Sequence, residues 1–231
     1  MKWLSTIAFT AILFSMVPAF AQVPADKPVP EGYSSLFDGK TLNHWEGDPQ
    51  YWSVQDGCIT GISTPEKPIK YNTFLYWDEE VSDFELLCDF CLTNHNSGIQ
   101  YRAWLNQGKP WSLSGYQADI AGMPYMGIVY GEGFRGILCL RGQKTTFDEA
   151  GKKTAESFAD AAELAKSINF DGWNTYRIVA KGNTLTQYIN GVKVSELVDN
   201  DKVARAAGLL GFQMHVGPAM KVQFKNIFLK K

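Results

Sequence analysis

The clearest periodicity lies in Phe84-Glu85-Leu86-Leu87-Cys88-Asp89-Phe90-Cys91-Leu92, where Phe84, Leu86, Cys88, Phe90 and Leu92 fall on one side. A period of two is that of a strand with one buried face. The same alternation runs through Tyr176–Lys181, Thr184–Ile189 and Val192–Leu197, which are joined by Gly182-Asn183 and Asn190-Gly191. Gly and Asn tolerate the positive φ of tight turns, so these segments predict a three-strand meander. Asp56-Gly57 predicts a hairpin between Tyr51–Gln55 and Cys58–Ile62. Gly208–Val216 and Met220–Leu229 close the chain as two strands around Gly217-Pro218.

Three strand-like runs carry polar side chains two residues apart: Gln100 with Arg102, Gln117 with Asp119, and Gln213 with His215. Residues i and i+2 of a strand share a face. The intervening Ile99 and Tyr101, Tyr116, Ala118 and Ile120, and Phe212, Met214 and Val216 are apolar or aromatic and face a core. The pattern predicts a sheet with one dry face and one face of amides, a guanidinium, a carboxylate and an imidazole.

One segment has a different period. In Thr154–Ile168, Ala155, Phe158, Ala161, Ala162, Ala165 and Ile168 recur at helical spacing, with Thr154 as a cap. Many short strands, Gly and Asn turns and a single inserted surface helix predict an all-β, antiparallel two-sheet jelly-roll sandwich. Its concave sheet is the expected home of the polar rows.

The first residues change the picture of where the protein works. Lys2, an apolar run from Trp3 to Val17 and the small-x-small string Ala19-Phe20-Ala21 read as a secretory signal over residues 1–21. Residues 22–32, with three prolines, read as an extended leader, and 33–231 as a single jelly-roll domain. No Cys stands at the expected cleavage point to take a lipid. The expectation is an exported protein, periplasmic or extracellular, with no membrane insertion. A net charge of −2 without a basic stripe argues against nucleic acid as a partner. Cys58, Cys88, Cys91 and Cys139 sit in apolar strand patterns, which favours buried thiols over disulfides.

The chemistry is narrowed first by what is missing. The chain lacks the Glu-x-Asp-x-x-Glu strand of sandwich glucanases, a Gly-x-Ser-x-Gly elbow, a phosphate loop and clustered His ligands. No cofactor is implied; a divalent cation such as calcium is compatible with a sandwich, but no residue cluster specifies one. Asp119 and His215 are the best proton-transfer candidates, with Glu132 a third. Arg102, Arg135 and Arg141 suit an oxyanion or sugar hydroxyls. Gln100, Gln117 and Gln213 suit hydroxyl recognition, because an amide both donates and accepts. Tyr130 and the loop residue Trp111 add aromatic surface of the kind that stacks on a sugar ring.

The opening Ser35-Leu36-Phe37-Asp38-Gly39-Lys40-Thr41-Leu42-Asn43-His44-Trp45 resembles that of the 3-keto-disaccharide hydrolase family, formerly a domain of unknown function. Further shared stretches are Asn96-Ser97-Gly98-Ile99 with Arg102, Gly115-Tyr116-Gln117-Ala118-Asp119-Ile120, Ile189-Asn190-Gly191, Gln213-x-His215 and Val222-x-Phe224-Lys225-Asn226-Ile227. The resemblance extends from Tyr33 to Lys231. It departs at Tyr130-Gly131-Glu132-Gly133-Phe134-Arg135-Gly136, where relatives often carry Tyr-Glu-Glu-x-Gly-Arg-Gly. One acid is lost there and Glu132 survives, which puts a carboxylate pair at that string in doubt.

The resemblance implies a concanavalin A-like fold and cleavage of glycosides already oxidised to a 3-ketone by a separate sugar 3-dehydrogenase. The implied reaction is elimination followed by hydration. On that reading His215 or Asp119 is the base, Arg102 contacts the oxyanion, and the glutamines hold hydroxyls. The rival reading is a non-catalytic, lectin-like carbohydrate-binding module, since one fold serves both purposes.

Overall fold

The computed structural model describes residues 21–231, so the expected signal over 1–21 lies, but for Ala21, outside the described residues. The chain opens with short strands β1 (Ser34–Ser35) and β2 (Trp45–Glu46), then the hairpin β3 (Trp52–Gln55) and β4 (Cys58–Ile62), followed by β5 (Thr73–Trp77). Three long strands come next: β6 (Phe84–Thr93), β7 (Asn96–Leu105) and β8 (Leu113–Ala121). After them run β9 (Val129–Glu132), β10 (Gly136–Cys139), β11 (Gln143–Phe147), β12 (Lys153–Ser157) and the one-turn helix α1 (Ala161–Ala165). The meander β13 (Asn174–Lys181), β14 (Thr184–Ile189) and β15 (Val192–Asp199) leads to β16 (Leu209–Met214) and β17 (Lys221–Lys230).

These strands form two sheets. The ten-stranded sheet has the order β12-β11-β15-β14-β13-β6-β17-β4-β3, with β1 also on β17, and the seven-stranded sheet the order β10-β9-β8-β7-β16-β5-β2. Pairing is antiparallel except between β11 and β15. The expected turns form as the sequence predicts: Asp56 and Gly57, and Asn190 and Gly191, all have positive φ. The architecture is an all-β jelly-roll sandwich.

The alternating residues meet between the sheets. Leu86, Cys88, Phe90, Ile178 and Phe224 from one sheet pack against Ile99, Tyr101, Ala118, Ile120, Phe212 and Met214 from the other, all nearly or fully buried. Phe212 and Phe224 stack at 3.9 Å across the interface, which locks the two sheets in register. All four cysteines are buried free thiols, and burial pushes their pKa values up.

The helix differs from expectation. Lys153–Ser157 pairs with β11 as a strand, so Thr154 lies opposite Thr146 and caps nothing. The cause is the turn before it: Asp148 accepts from the N–H groups of Ala150 and Lys152, Gly151 takes φ +77°, and the chain folds back as a hairpin. Asp160 is the true cap, accepting from Ala162 N at 2.7 Å and Glu163 N at 3.0 Å. Among the described residues no helix is long and apolar enough to cross a membrane.

Residues of the leader are fastened to the ten-stranded sheet. Lys27 Nζ lies 2.7 Å from the Asp89 carboxylate, and Asp26 pairs with Lys225 at 2.9 Å. Asn226 accepts from Lys27 N and donates to Ala25 O.

Candidate active site

The candidate site lies on the outer face of the seven-stranded sheet. On β7, β8 and β16 the core takes Ile99, Tyr101, Tyr116, Ala118, Ile120, Phe212 and Met214, so strand alternation sends Gln100, Gln117, Asp119 and Gln213 to the other side. Register then aligns them: Gln100 stands opposite Gln117, Gly98 opposite Asp119, and Tyr130 opposite Gln117 on the far side. Gly98 supplies the space. A Cβ there would meet Gln117 Cδ at 2.4 Å, so the Gln117 side chain can lie across it only because it is absent.

The face carries two hydrogen-bonded chains of side chains. Gln100 Nε2 donates to Gln117 Oε1 at 3.4 Å, and Gln117 Nε2 donates to Asp119 Oδ1 at 2.7 Å. Glu132 reaches over the same surface and accepts from Asn72 Nδ2 at 2.9 Å and Gln213 Nε2 at 3.3 Å. The amide oxygens of Asn96, Gln100 and Gln213 accept no hydrogen bond among the described residues. Buried acceptors are ordinarily paired, so acceptors are to spare here.

Asp119, Gln117, Glu132, Tyr130, Asn72 and His215 line one cleft of about 330 Å³, walled further by Asn96, Tyr125, Ile128 and Ile137. Asp119 is 5% exposed. Burial pushes its carboxyl up to about 7; the Glu132 charge adds to this, and the bond from Gln117 opposes it. Burial, with the same two carboxylates, also raises Tyr130. The carboxylate pair therefore arises between strands, from Asp119 on β8 and Glu132 on β9, rather than within one string.

His215 stands at the rim. Its Nδ1 is 2.6 Å from Val216 O and 3.1 Å from His95 Nε2, with the two rings edge to face. His95 Nε2 is likewise 3.0 Å from Val216 O, so the two imidazoles share one carbonyl acceptor.

Four expected site residues lie elsewhere. Arg102 leaves the polar face because the β7–β8 register shifts between Tyr101 and Trp104, and Arg102 itself takes φ +47°. Its guanidinium donates to the carbonyls of Ser82, Gly182 and Arg205 and pairs with Asp83. Arg135 is bound to Asp199 and to Asp201 and lies over the Phe134 and Phe147 rings. Arg141 donates to Met126 O at 2.6 Å and Ala161 O at 2.9 Å, holding α1 against the loop that bears Tyr125. Trp111 lines a different cleft. Tyr125 belongs to the aromatics whose number in the sequence suits sugar binding, whereas the sequence does not mark Asn72, Asn96 or His95 as site residues. Asn96 stands in a shared stretch, but Asn72 and His95 carry no local signal because the fold alone brings them in. Among the described residues no group of three or more His, Cys, Asp or Glu is placed to hold a metal.

A jelly-roll sandwich with a carboxylate- and amide-lined cleft on one sheet's outer face presents a concave polar site for a small ligand. The chain belongs to the family of the 3-keto-alpha-glucoside-1,2-lyase-like domain, whose model matches residues 32–230. It is 34% identical over 90 residues to a 3-keto-disaccharide hydrolase of Bacteroides thetaiotaomicron, a match covering 36% of this chain and 30% of that protein. Its fold is similar to that of a putative glycosyl hydrolase from Parabacteroides distasonis, with TM-score 0.57 and 20% identity over 86% of this chain and 98% of the other. It is also similar to the carbohydrate-binding module CBM66 from Bacillus subtilis, with TM-score 0.54 and 14% identity over 81% and 96% of the two chains.

Proposed function

We propose that this protein is an exported enzyme that cleaves 3-keto-glycosides by elimination and rehydration. A ketone at C3 acidifies the C2 hydrogen. Asp119 takes that proton, the electrons move into the C2–C3 enolate, and the bond from C1 to the leaving oxygen breaks as C1=C2 forms. The leaving oxygen takes up a proton, and water adding across C1=C2 completes a net hydrolysis.

The observation that carries this reading is Asp119, a buried carboxyl brought to about 7 in a cleft shared with Glu132 and His215. A base that titrates near the working pH is both adequately ionised and adequately strong. Burial holds Asp119 there, and the charge of Glu132, fixed by Asn72 and Gln213, adds to the rise. Protonated His215 gives a proton to the leaving oxygen and takes one back from the water that adds at C1, while Asp119 returns its proton to C2. With Arg102 outside the cleft, the Tyr130 hydroxyl and the Asn72 amide take the contact to the enolate oxygen. Gln117 and Gln213 meet sugar hydroxyls. The ketone is supplied by a separate sugar 3-dehydrogenase, and residues 1–21 direct export; both are testable by co-incubation and by cell fractionation.

The test uses a 3-keto-glucoside and its C1-deoxy analogue, which has no leaving group. Wild-type protein should release aglycone from the first and exchange C2–H for deuterium in the second. Asp119→Asn should lower both by about 10²–10⁴-fold. His215→Ala should slow release much more than exchange. A wild-type protein that binds the glycoside yet neither releases nor exchanges would establish the lectin-like reading instead.

A further inference from the structure

A second cleft, of about 400 Å³, opens at one end of the sandwich and is separate from the candidate active site. Three connections build it: the segment between β2 and β3, with Asp48, Gln50 and Tyr51; the segment between β4 and β5, from Glu66 to Tyr71; and the segment between β7 and β8, with Trp111. Its volume is in the roughly 300–1,000 Å³ range of small-molecule sites. The two clefts share one stretch of chain: Asn72 lines the first, while Tyr71 and Thr73 line the second.

The lining has the chemistry of a sugar site. Tyr51, Tyr71 and Trp111 line it half-buried, and Lys109 Nζ lies 6.0 Å from the Tyr71 ring centroid. Aromatic faces complement the C–H faces of a pyranose. Asp48, Gln50, Glu66, Lys67 and Lys70 supply acceptors and donors for hydroxyls. The two acids and two lysines cancel, so the cleft selects neither anions nor cations.

The aromatic wall is also held in place. Tyr51 OH donates to Pro68 O at 2.9 Å, and Tyr71 OH to Pro110 O at 3.4 Å, next to Trp111. Trp111 takes φ +51°, a region unusual for a bulky side chain, and Phe74 N donates to its carbonyl at 2.7 Å. A glycine would satisfy that backbone without strain. The chain instead keeps an indole there, and strained positions of this kind gather at ligand clamps.

We infer that this cleft is a second saccharide-binding site, taking an uncharged mono- or disaccharide independently of the chemistry at Asp119. Unoxidised cellobiose, maltose and trehalose are the probes, titrated into the intact protein and followed by heteronuclear NMR. The expected result is saturable shifting of residues in the three connections by at least one of them. The Kd should rise at least tenfold in Tyr71→Ala and in Trp111→Gly and stay unchanged in Asp119→Asn. Tyr71→Ala alters only a connection, and an unchanged Tm verifies its fold should Trp111→Gly unfold. The inference is overturned if none of the three sugars gives saturable shifts. It is equally overturned if the shifts persist with the same Kd in Tyr71→Ala, or vanish in Asp119→Asn. Because the probes bear no ketone, this outcome is independent of whether the protein cleaves keto-glycosides.

Discussion

The side chain of Gln117 lies across Gly98 and ends in a 2.7 Å bond to Asp119. Removing the space under Gln117 therefore reaches the carboxyl without touching it. Gly98→Ala places a methyl against Gln117 and should cost about 1–3 kcal/mol of stability through overpacking. It should also weaken the one bond that draws the Asp119 pKa down. The alkaline-rising limb of kcat/KM should then move to higher pH than in wild type, which a pH–rate profile measures.

Asp119 itself should make the fold less stable as pH rises. Its carboxyl titrates at about 7 when folded and near 3.8 as a free side chain. Between those values the native state holds a proton that the unfolded state has lost. Stability is thus fully present at about pH 4 and declines to about pH 7, by up to the order of 4 kcal/mol at 1.36 kcal/mol per unit. Asp119→Asn lacks this slope and should be the more stable protein at pH 8 while losing activity. Urea denaturation of both proteins at pH 5 and pH 8 tests the sign.

Arg102 should behave as a structural clamp. Arg102→Ala strips donors from three backbone carbonyls and should cost on the order of 3 kcal/mol. It also leaves a β-carbon at positive φ, so Arg102→Gly should be less damaging by about 1 kcal/mol. The folded fraction of either variant should keep wild-type kcat. A large kcat loss with an unchanged melting temperature would return Arg102 to the chemistry.

The leader contributes to the fold through Lys27. Lys27→Ala leaves the buried Asp89 carboxylate with Thr175 and Asn226 as partners and should destabilise by about 1–3 kcal/mol. The melting temperature should fall, with KM and kcat unchanged, because Asp89 belongs to the other sheet.

The sandwich was readable because most strands obey their period and announce their turns, as Asp56-Gly57 and Asn190-Gly191 do. The polar face was readable for the same reason, and Gln100, Gln117, Asp119 and Gln213 all fall on it. The parity rule failed at Arg102, where a bulge and a left-handed residue turn the side chain away from its neighbours. Thr154–Ile168 misled because small apolar residues satisfy two periods at once, and the Asp148–Gly151 turn settled the first half as strand. Arg135 and Arg141 read as ligands of substrate because sequence does not show that Asp199 and the Met126 carbonyl come to meet them. The Asp119–Glu132 pairing was hidden because it depends on the register of β8 with β9.

Strand β12 ends the ten-stranded sheet, and every residue from Lys153 to Ser157 is exposed. An open strand edge offers unpaired N–H and C=O groups to any passing extended chain. Here that margin is five residues long and carries Lys153 and Glu156, with Lys152 just before it. A strand from another molecule docking there would have to desolvate those charges. That margin of the sheet is thus guarded against strand addition from another molecule.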